Sequence, residues 1–208
     1  MYITDAPAAC NISIPSPAVV FTATTTPADH LRSIRRPVSQ AVLLSLATSL
    51  IMTRLDYGSA VLAGLPSHLL NRLQSVLNAA ACLVCRAHKY DHVTHLLWDL
   101  HWLRVLERIQ FRLTILAFCC RSHKAPSYIT DKLHWTNEAE SWHRLQSGSC
   151  PHLIVPRTRL RTIGDRSFRV TVTRAWNSLP TGITALTSLP SFNRQLKTFL
   201  FNKSFPSV

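Results

Sequence analysis

Apolar residues recur at every third or fourth position over much of this chain, which is the spacing of amphipathic helices. Residues 67–86 and 105–120 show this period most clearly, and Ser67 after Pro66 is the predicted N-cap of the first helix. Their predicted buried positions are Leu69, Leu73, Val76, Leu77, Ala80, Leu83 and Val84, then Leu106, Ile109, Leu113, Leu116, Ala117 and Cys120. The pattern predicts a mainly α fold, a small helical bundle built around these two helices.

Shorter apolar segments complete the predicted bundle. Residues 41–52 are uncharged and strongly apolar, but these 12 residues are fewer than the roughly 20 that cross a bilayer. They therefore predict a buried helix, and no membrane partner is expected. A short helix between the two long ones would be anchored to the core by Trp98 and Trp102, which lie about one turn apart. A last amphipathic helix follows Pro190.

Composition divides the chain into four regions. Residues 1–29 contain four prolines and are predicted to be a disordered leader, residues 30–122 form a helical region, and residues 123–150 form a polar linker. Residues 151–208 form a basic arm and a C-terminal helix. Because β-branched residues are frequent in residues 151–177, we predict a short basic β/extended arm here, with one or two short strands and with Trp176 fastening it to an apolar surface.

The chain carries 23 Lys and Arg against 10 Asp and Glu, and the net charge of +13 indicates a polyanionic partner. The arginines cluster in two places, along one face of the second long helix and in the basic arm. The predicted phosphate contacts are Arg104, Arg108 and Arg112 on the helix, and Arg157, Arg159, Arg161 and Arg166 in the arm. For the helical stripe the alternative is a solvated face. The expected partner is the backbone of RNA or DNA, and apolar helix faces left exposed would allow self-association.

The remaining polar residues form no catalytic or metal-binding motif. Cys82 and Cys85 have a zinc-like spacing and histidines follow them, but no second CxxC occurs, so no metal or cofactor is predicted. The chain has no GxSxG, GxGxxG or GxxxxGK[ST] motif and no Asp-Asp pair, so no enzyme activity is predicted for it. Glu107 beside Arg104 and Arg108 predicts a local ion pair.

The six cysteines do not have the spacing of a secreted disulfide framework, and several lie on predicted apolar helix faces. They predict reduced, buried thiols in an intracellular protein, in either the nucleus or the cytoplasm.

Several short blocks, in their order along the chain, resemble the region downstream of the polymerase core in non-LTR retrotransposon reverse transcriptases of the LINE type (CR1/jockey-like). The resemblance covers about residues 30–205. The blocks are Leu55-Asp56-Tyr57, Leu62-Ala63-Gly64-Leu65-Pro66, residues 73–80, Leu100-His101-Trp102-Leu103, residues 107–111, Ala125-Pro126-Ser127-Tyr128, Val155-Pro156-Arg157, Arg166-Ser167-Phe168 and residues 175–180.

The resemblance implies a C-terminal, thumb-side piece of an RNA-directed DNA polymerase. Members of that family carry an endonuclease and the palm aspartate motif upstream of this region, so the chain is expected to lack polymerase activity. In the intact enzyme the region would help to hold the template RNA and the primed DNA end, which leaves sequence-tolerant nucleic-acid binding as the expected function. The alternative is a non-catalytic protein-interaction or structural remnant without a nucleic-acid role.

Overall fold

Helices are the regular secondary structure of this computed structural model, which describes residues 38–87, 91–136, 152–158 and 164–206. Within those ranges the chain forms no β-sheet, so the predicted mainly α fold is confirmed. The helices are α1 (Gln40–Ala47), which continues through a π-helical turn (Thr48–Met52), α2 (Thr53–Tyr57), α3 (Ser59–Leu62), α4 (Ser67–Val84), α5 (Val93–Asp99), α6 (Val105–Arg121), α7 (Ser127–Thr130), α8 (Phe168–Asn177), α9 (Thr181–Thr184) and α10 (Leu189–Ser204).

Helix α6 lies at the centre of the bundle. It packs most closely against α8 and α10, and it also contacts α2, α3 and α4. Because neighbouring helices surround α6, it buries apolar residues on more than one of its faces. Ala117, Phe118, Cys119 and Cys120 are all buried, although four consecutive residues cannot share one side of a helix. The predicted bounds of this helix were correct to within one residue.

Aromatic side chains fill the space between α6, α8 and α10. The Phe192 ring stacks on Phe118 at 4.4 Å and on Trp176 at 5.8 Å, measured between ring centres. The edge of Trp135 meets Trp176 at 5.4 Å. Trp176 is fully buried, which confirms that it fastens the basic arm to the core.

The first helical run, which consists of α1, the π-helical turn, α2 and α3, is buried along a row of residues spaced by four. Leu43, Ala47, Ile51 and Leu55 are all buried, and the π-helical turn lies in the middle of this row. The prediction of a buried helix over residues 41–52 was right for this face only, because an adjacent apolar face is exposed to solvent. No helix in the described ranges joins the length and the apolar character that a bilayer-spanning segment requires.

The basic arm differs from its prediction. Residues 152–158 form neither a helix nor a strand, and Leu153 forms an isolated antiparallel bridge with Trp135. Residues 168–177, predicted as extended or strand, form helix α8 instead. The buried positions Val170, Thr173 and Trp176 are three residues apart, so a helix places them together against the core. This tertiary burial overrides the β-propensity of the branched residues.

The Leu153 backbone is held on both sides. Its N–H donates to Asn177 Oδ1 at 3.0 Å, and its carbonyl accepts from Asn177 Nδ2 at 2.8 Å. On the other side, Ile154 N donates to the His134 carbonyl and Thr136 N to the His152 carbonyl, at 2.9 and 3.0 Å. The start of the arm therefore has a fixed position on the bundle.

Smaller predictions also changed. Pro66, not Ser67, is the N-cap of α4, and no side-chain hydrogen bond caps that helix. Val76, Leu106 and Trp98 were predicted to be buried, yet all three are exposed, whereas Trp102 is buried as expected. Residues 123–136, the first half of the predicted linker, carry the buried side chains Leu133 and Trp135. The predicted leader and residues 137–151 lie outside the described residues.

Candidate nucleic-acid interface

Two of the predicted phosphate-binding arginines bind an internal carboxylate. Arg108 donates from Nε and Nη2 to the two oxygens of Asp56, at 2.6 and 2.9 Å. Arg112 donates from Nη2 to Asp56 Oδ2 at 2.6 Å. The Asp56 side chain is 13% exposed, and those of Arg108 and Arg112 are 21% and 51% exposed. We call these three residues the Asp56 clamp.

The Asp56 clamp joins α2 to α6 across 52 and 56 residues of sequence. Paired, partly buried charges of this kind form strong hydrogen bonds, and the bidentate Arg108 pair also fixes an orientation. A phosphate would have to compete with Asp56 for these guanidinium groups. No local sequence signal reveals this pairing, because the carboxylate lies on another helix.

Arg104, the first member of the predicted stripe, points elsewhere. It is exposed at the N-cap position of α6, and its guanidinium carbon lies 5.4 Å from the centre of the Phe205 ring. A cation over a ring face is attracted by the ring quadrupole. The three arginines therefore do not act as one uniform stripe: two are held by a carboxylate and one by an aromatic ring.

Two arginines of the arm flank a hydrogen bond between residues 158 and 165. Thr158 Oγ1 donates to Asp165 Oδ1 at 3.2 Å, so the two ends of residues 158–165 meet. Arg157 and Arg166 are the residues just outside this hydrogen bond, and both are exposed. We call Arg157, Arg166 and the Thr158–Asp165 contact the loop base. Arg159 and Arg161 lie between its ends, outside the described residues.

The loop base is fixed to the bundle by close contacts. Arg174 of α8 donates to Asp165 Oδ1 at 3.1 Å. The Arg166 backbone and side-chain carbons lie over Gly64, where a Cβ would come within 3.0 Å of Arg166 Cγ. Gly64 also has a φ of +77°, a conformation that favours glycine. The charged end of Arg166 thus projects from a stem packed against the turn between α3 and α4.

Glu107 does not form the predicted ion pair. It is only 8% exposed, and its Oε2 accepts no hydrogen bond. Glu107 lies in the first turn of α6. The prediction was wrong because Arg108 turns toward Asp56 instead.

The cysteines are free thiols in the described part of the chain, where Cys119 and Cys120 are buried and Cys82 and Cys85 are half-buried. Burial raises the pKa of the Cys120 thiol to about 11, against an opposing hydrogen bond with Thr130. Burial, and next the nearby Asp99 carboxylate, raise the pKa of Cys85. Among the described residues, no three His, Cys, Asp or Glu side chains are placed to hold a metal ion.

Comparison of the chain with family models, with curated proteins and with solved structures found no match. The fold and the charge define a class, a mainly helical and strongly basic protein.

Proposed function

We propose that this chain is the thumb-side, C-terminal region of a non-LTR retrotransposon reverse transcriptase, without polymerase activity of its own, and that it binds nucleic-acid backbones with little sequence preference. The ancestry is supported by the ordered series of sequence blocks that resembles this family. Binding is supported by the loop base, where Arg157 and Arg166 are exposed and have no carboxylate partner among the described residues.

Charge in the arm is not balanced locally. Asp165 is its single acidic residue between positions 151 and 208, and it is occupied by Arg174 and Thr158. Like charges held close together repel one another unless an anion lies between them. A phosphate at the loop base would relieve that repulsion, and arginine suits it because its planar fork can donate two hydrogen bonds.

The test is fluorescence-anisotropy binding of labelled RNA and DNA across a salt series. The double variant Arg157→Gln/Arg166→Gln should weaken binding to every sequence, and the log–log salt slope should fall by about 0.7 to 0.9 for each phosphate that the variant no longer neutralises. The control is Arg72→Gln/Lys124→Gln, which removes the same charge from exposed positions on α4 and after α6. Equal effects of the two double variants would show that binding depends on net charge and not on the loop base. If the folded wild-type chain binds neither RNA nor DNA, the proposal is wrong.

A second candidate is a protein-interaction or structural role, favoured by the exposed apolar face of the first helical run. Val42, Leu46, Leu50, Tyr57 and Val61 are spaced by four to seven residues. All are exposed except Leu46, which is half-buried, and Val61 is 76% exposed. We call these five residues the apolar stripe. Such a stripe suits contact with another helix, including one from a second copy of the chain.

A further inference from the structure

A row of aromatic rings connects α5 with the end of α10. Between ring centres, Trp98 lies 6.4 Å from His101, and His101 lies 5.7 Å from Phe201. Phe201 lies 4.9 Å from Phe205, which carries the Arg104 guanidinium at 5.4 Å. We call these five residues the aromatic platform.

The outer end of the aromatic platform faces solvent. Phe205 is buried and Phe201 half-buried, whereas His101 is exposed and Trp98 is 38% exposed. Burial therefore explains the inner rings but not the outer two. An exposed indole forgoes much of the stabilisation that the largest aromatic side chain gains in a core. Trp98 and His101 are thus the two rings of the row that solvent reaches, and their planes are tilted by 52° relative to each other.

Positive charge adjoins the platform on two sides. Arg104 lies at its inner end, and Arg194 and Lys197 precede Phe201 by seven and four residues, which places all three on one face of α10. Both of these α10 cations are exposed.

Acidic residues oppose this charge only weakly. After Asp165 the sequence holds six Arg and Lys and no Asp or Glu. Asp99, the sequence neighbour of Trp98, is exposed, and its charge is one cause, after burial, of the raised pKa of the Cys85 thiol at the C-cap of α4. Glu107, near Arg104 in sequence, is buried. The ligand that fits aromatic faces beside exposed cations has both planar rings and negative charge.

We propose that the aromatic platform binds single-stranded nucleic acid, with unpaired bases stacked on Trp98 and His101 and phosphates at Arg104, Arg194 and Lys197. In a duplex the base faces are already stacked on their neighbours, so they cannot reach a protein ring without being unpaired. The platform thus adds a preference for single strands to the backbone binding of the proposed function, on which this inference rests.

The experiment compares three labelled probes at one salt concentration: a single-stranded RNA of about 16 nucleotides, the matching RNA duplex, and an abasic strand with the same number of phosphates. Trp98→Leu keeps an apolar side chain but removes the ring face. His101→Gly removes the other exposed ring, and glycine suits the φ of +52° found there. Tyr128→Leu is the control, because Tyr128 is exposed on α7 and lies outside the platform.

We expect Trp98→Leu and His101→Gly each to weaken single-strand binding by about 5- to 150-fold, the range that removal of one base stack produces. Binding of the duplex and of the abasic strand should stay within about twofold, and so should every probe with Tyr128→Leu. Equal losses of affinity on all three probes, or unchanged affinity for the single strand, would show that bases do not stack on the aromatic platform. Either result would leave the proposed backbone binding unaffected. Failure of the wild-type chain to bind any probe would instead overturn the proposed function. A melting curve of each variant shows whether it is folded.

Discussion

Single residues of this protein show how a nonlocal partner decides the role of a charge. From the sequence, Arg108 and Arg112 are equivalent to Arg104, since all three recur every four residues. In the structure, Asp56 binds the first two and leaves Arg104 beside a ring. Periodicity predicts the face that a residue occupies, but the chemistry of the opposing side chain comes from another helix.

Asp56→Asn should destabilise the fold, because it leaves the partly buried Arg108 without its carboxylate. We expect a decrease of about 1 to 3 kcal/mol in the free energy of unfolding, measured by urea denaturation. Asp165→Asn is the matched control, since its ion pair with Arg174 is more exposed and should cost less than about 1 kcal/mol. Equal costs would show that the Asp56 clamp has no special structural role.

Cys120 should resist alkylation in the folded protein. With a pKa of about 11, its thiolate fraction at pH 8 is about one in a thousand, and the side chain is also buried. Iodoacetamide treatment at pH 8 followed by peptide mass mapping should modify the half-buried Cys82 before Cys120, which should stay unmodified until urea unfolds the chain. Rapid labelling of Cys120 under native conditions would contradict its buried position.

At the scale of elements, three helices end in the same way. After α4, α5 and α6 the chain turns through a left-handed residue, and these residues are Arg86, His101 and His123, with φ between 51° and 52°. In each case the two hydrogen bonds of a Schellman motif follow, for example Lys124 N to the Cys119 carbonyl and His123 N to the Cys120 carbonyl after α6. Glycine is the residue most suited to this position, so sequence rules that look for glycine miss all three helix ends.

His123→Gly should stabilise the protein, because glycine removes the steric cost of the left-handed conformation. That cost is about 1 to 2 kcal/mol, and the greater freedom of glycine in the unfolded chain offsets part of it, which leaves a gain of about 0.5 to 1 kcal/mol. Differential scanning calorimetry should show a rise in Tm of about 1 to 4 °C.

The reverse change, Gly64→Ala, should lower the Tm, since Gly64 has a positive φ and lies against Arg166.

A fall in Tm with His123→Gly would contradict the first of these predictions. It would mean that the His123 side chain contributes more to the free energy of unfolding than its backbone strain costs.

How far the sequence predicts each element depends on how local its determinants are. Helix α6 was predicted because its apolar period is internal to it. The helical part of the basic arm was not, because its β-branched residues are held helical by burial of Trp176 against Phe192 and Trp135. Trp98 was wrongly predicted to lie in the core. A sequence indicates which face of a helix a residue occupies, but not whether a neighbouring element covers that face.

At the scale of the whole molecule, the described residues present three distinct surface regions: the loop base, the aromatic platform and the apolar stripe. The loop base was suggested in part by the arginine clusters, whereas the aromatic platform was not suggested, because Trp98 was predicted to be buried. The apolar stripe could not be predicted, because the same residues would be core residues if another element covered them. Which of these regions contacts a partner therefore depends on how the protein assembles with other molecules and not on how its own chain folds.

Leu50→Lys and Val61→Lys, made together, should abolish self-association if the apolar stripe mediates it. Both side chains are exposed, so the change should leave the Tm nearly unaltered. Sedimentation velocity at increasing protein concentration should show association of the wild-type chain and a monomer for the double variant. Val155→Lys, at an exposed apolar position outside the stripe, is the control. If the wild-type chain stays monomeric at every protein concentration, the apolar stripe does not mediate self-association.

The π-helical turn of the first helical run has a consequence for insertions and deletions. In a regular α-helix, residues spaced by four drift about 40° per step, so Leu43, Ala47, Ile51 and Leu55 would rotate by about 120° from first to last. The wider turn at Thr48–Met52 counteracts that drift and keeps the row against the core. Removal of one residue between Ala47 and Ile51 would leave spacings of four, three and four, which a regular α-helix keeps within about 60° of one another. The deletion should therefore convert the π-helical turn into a regular α-helical turn with the row still buried, whereas one additional residue would require a still wider turn to keep Ile51 and Leu55 against the core.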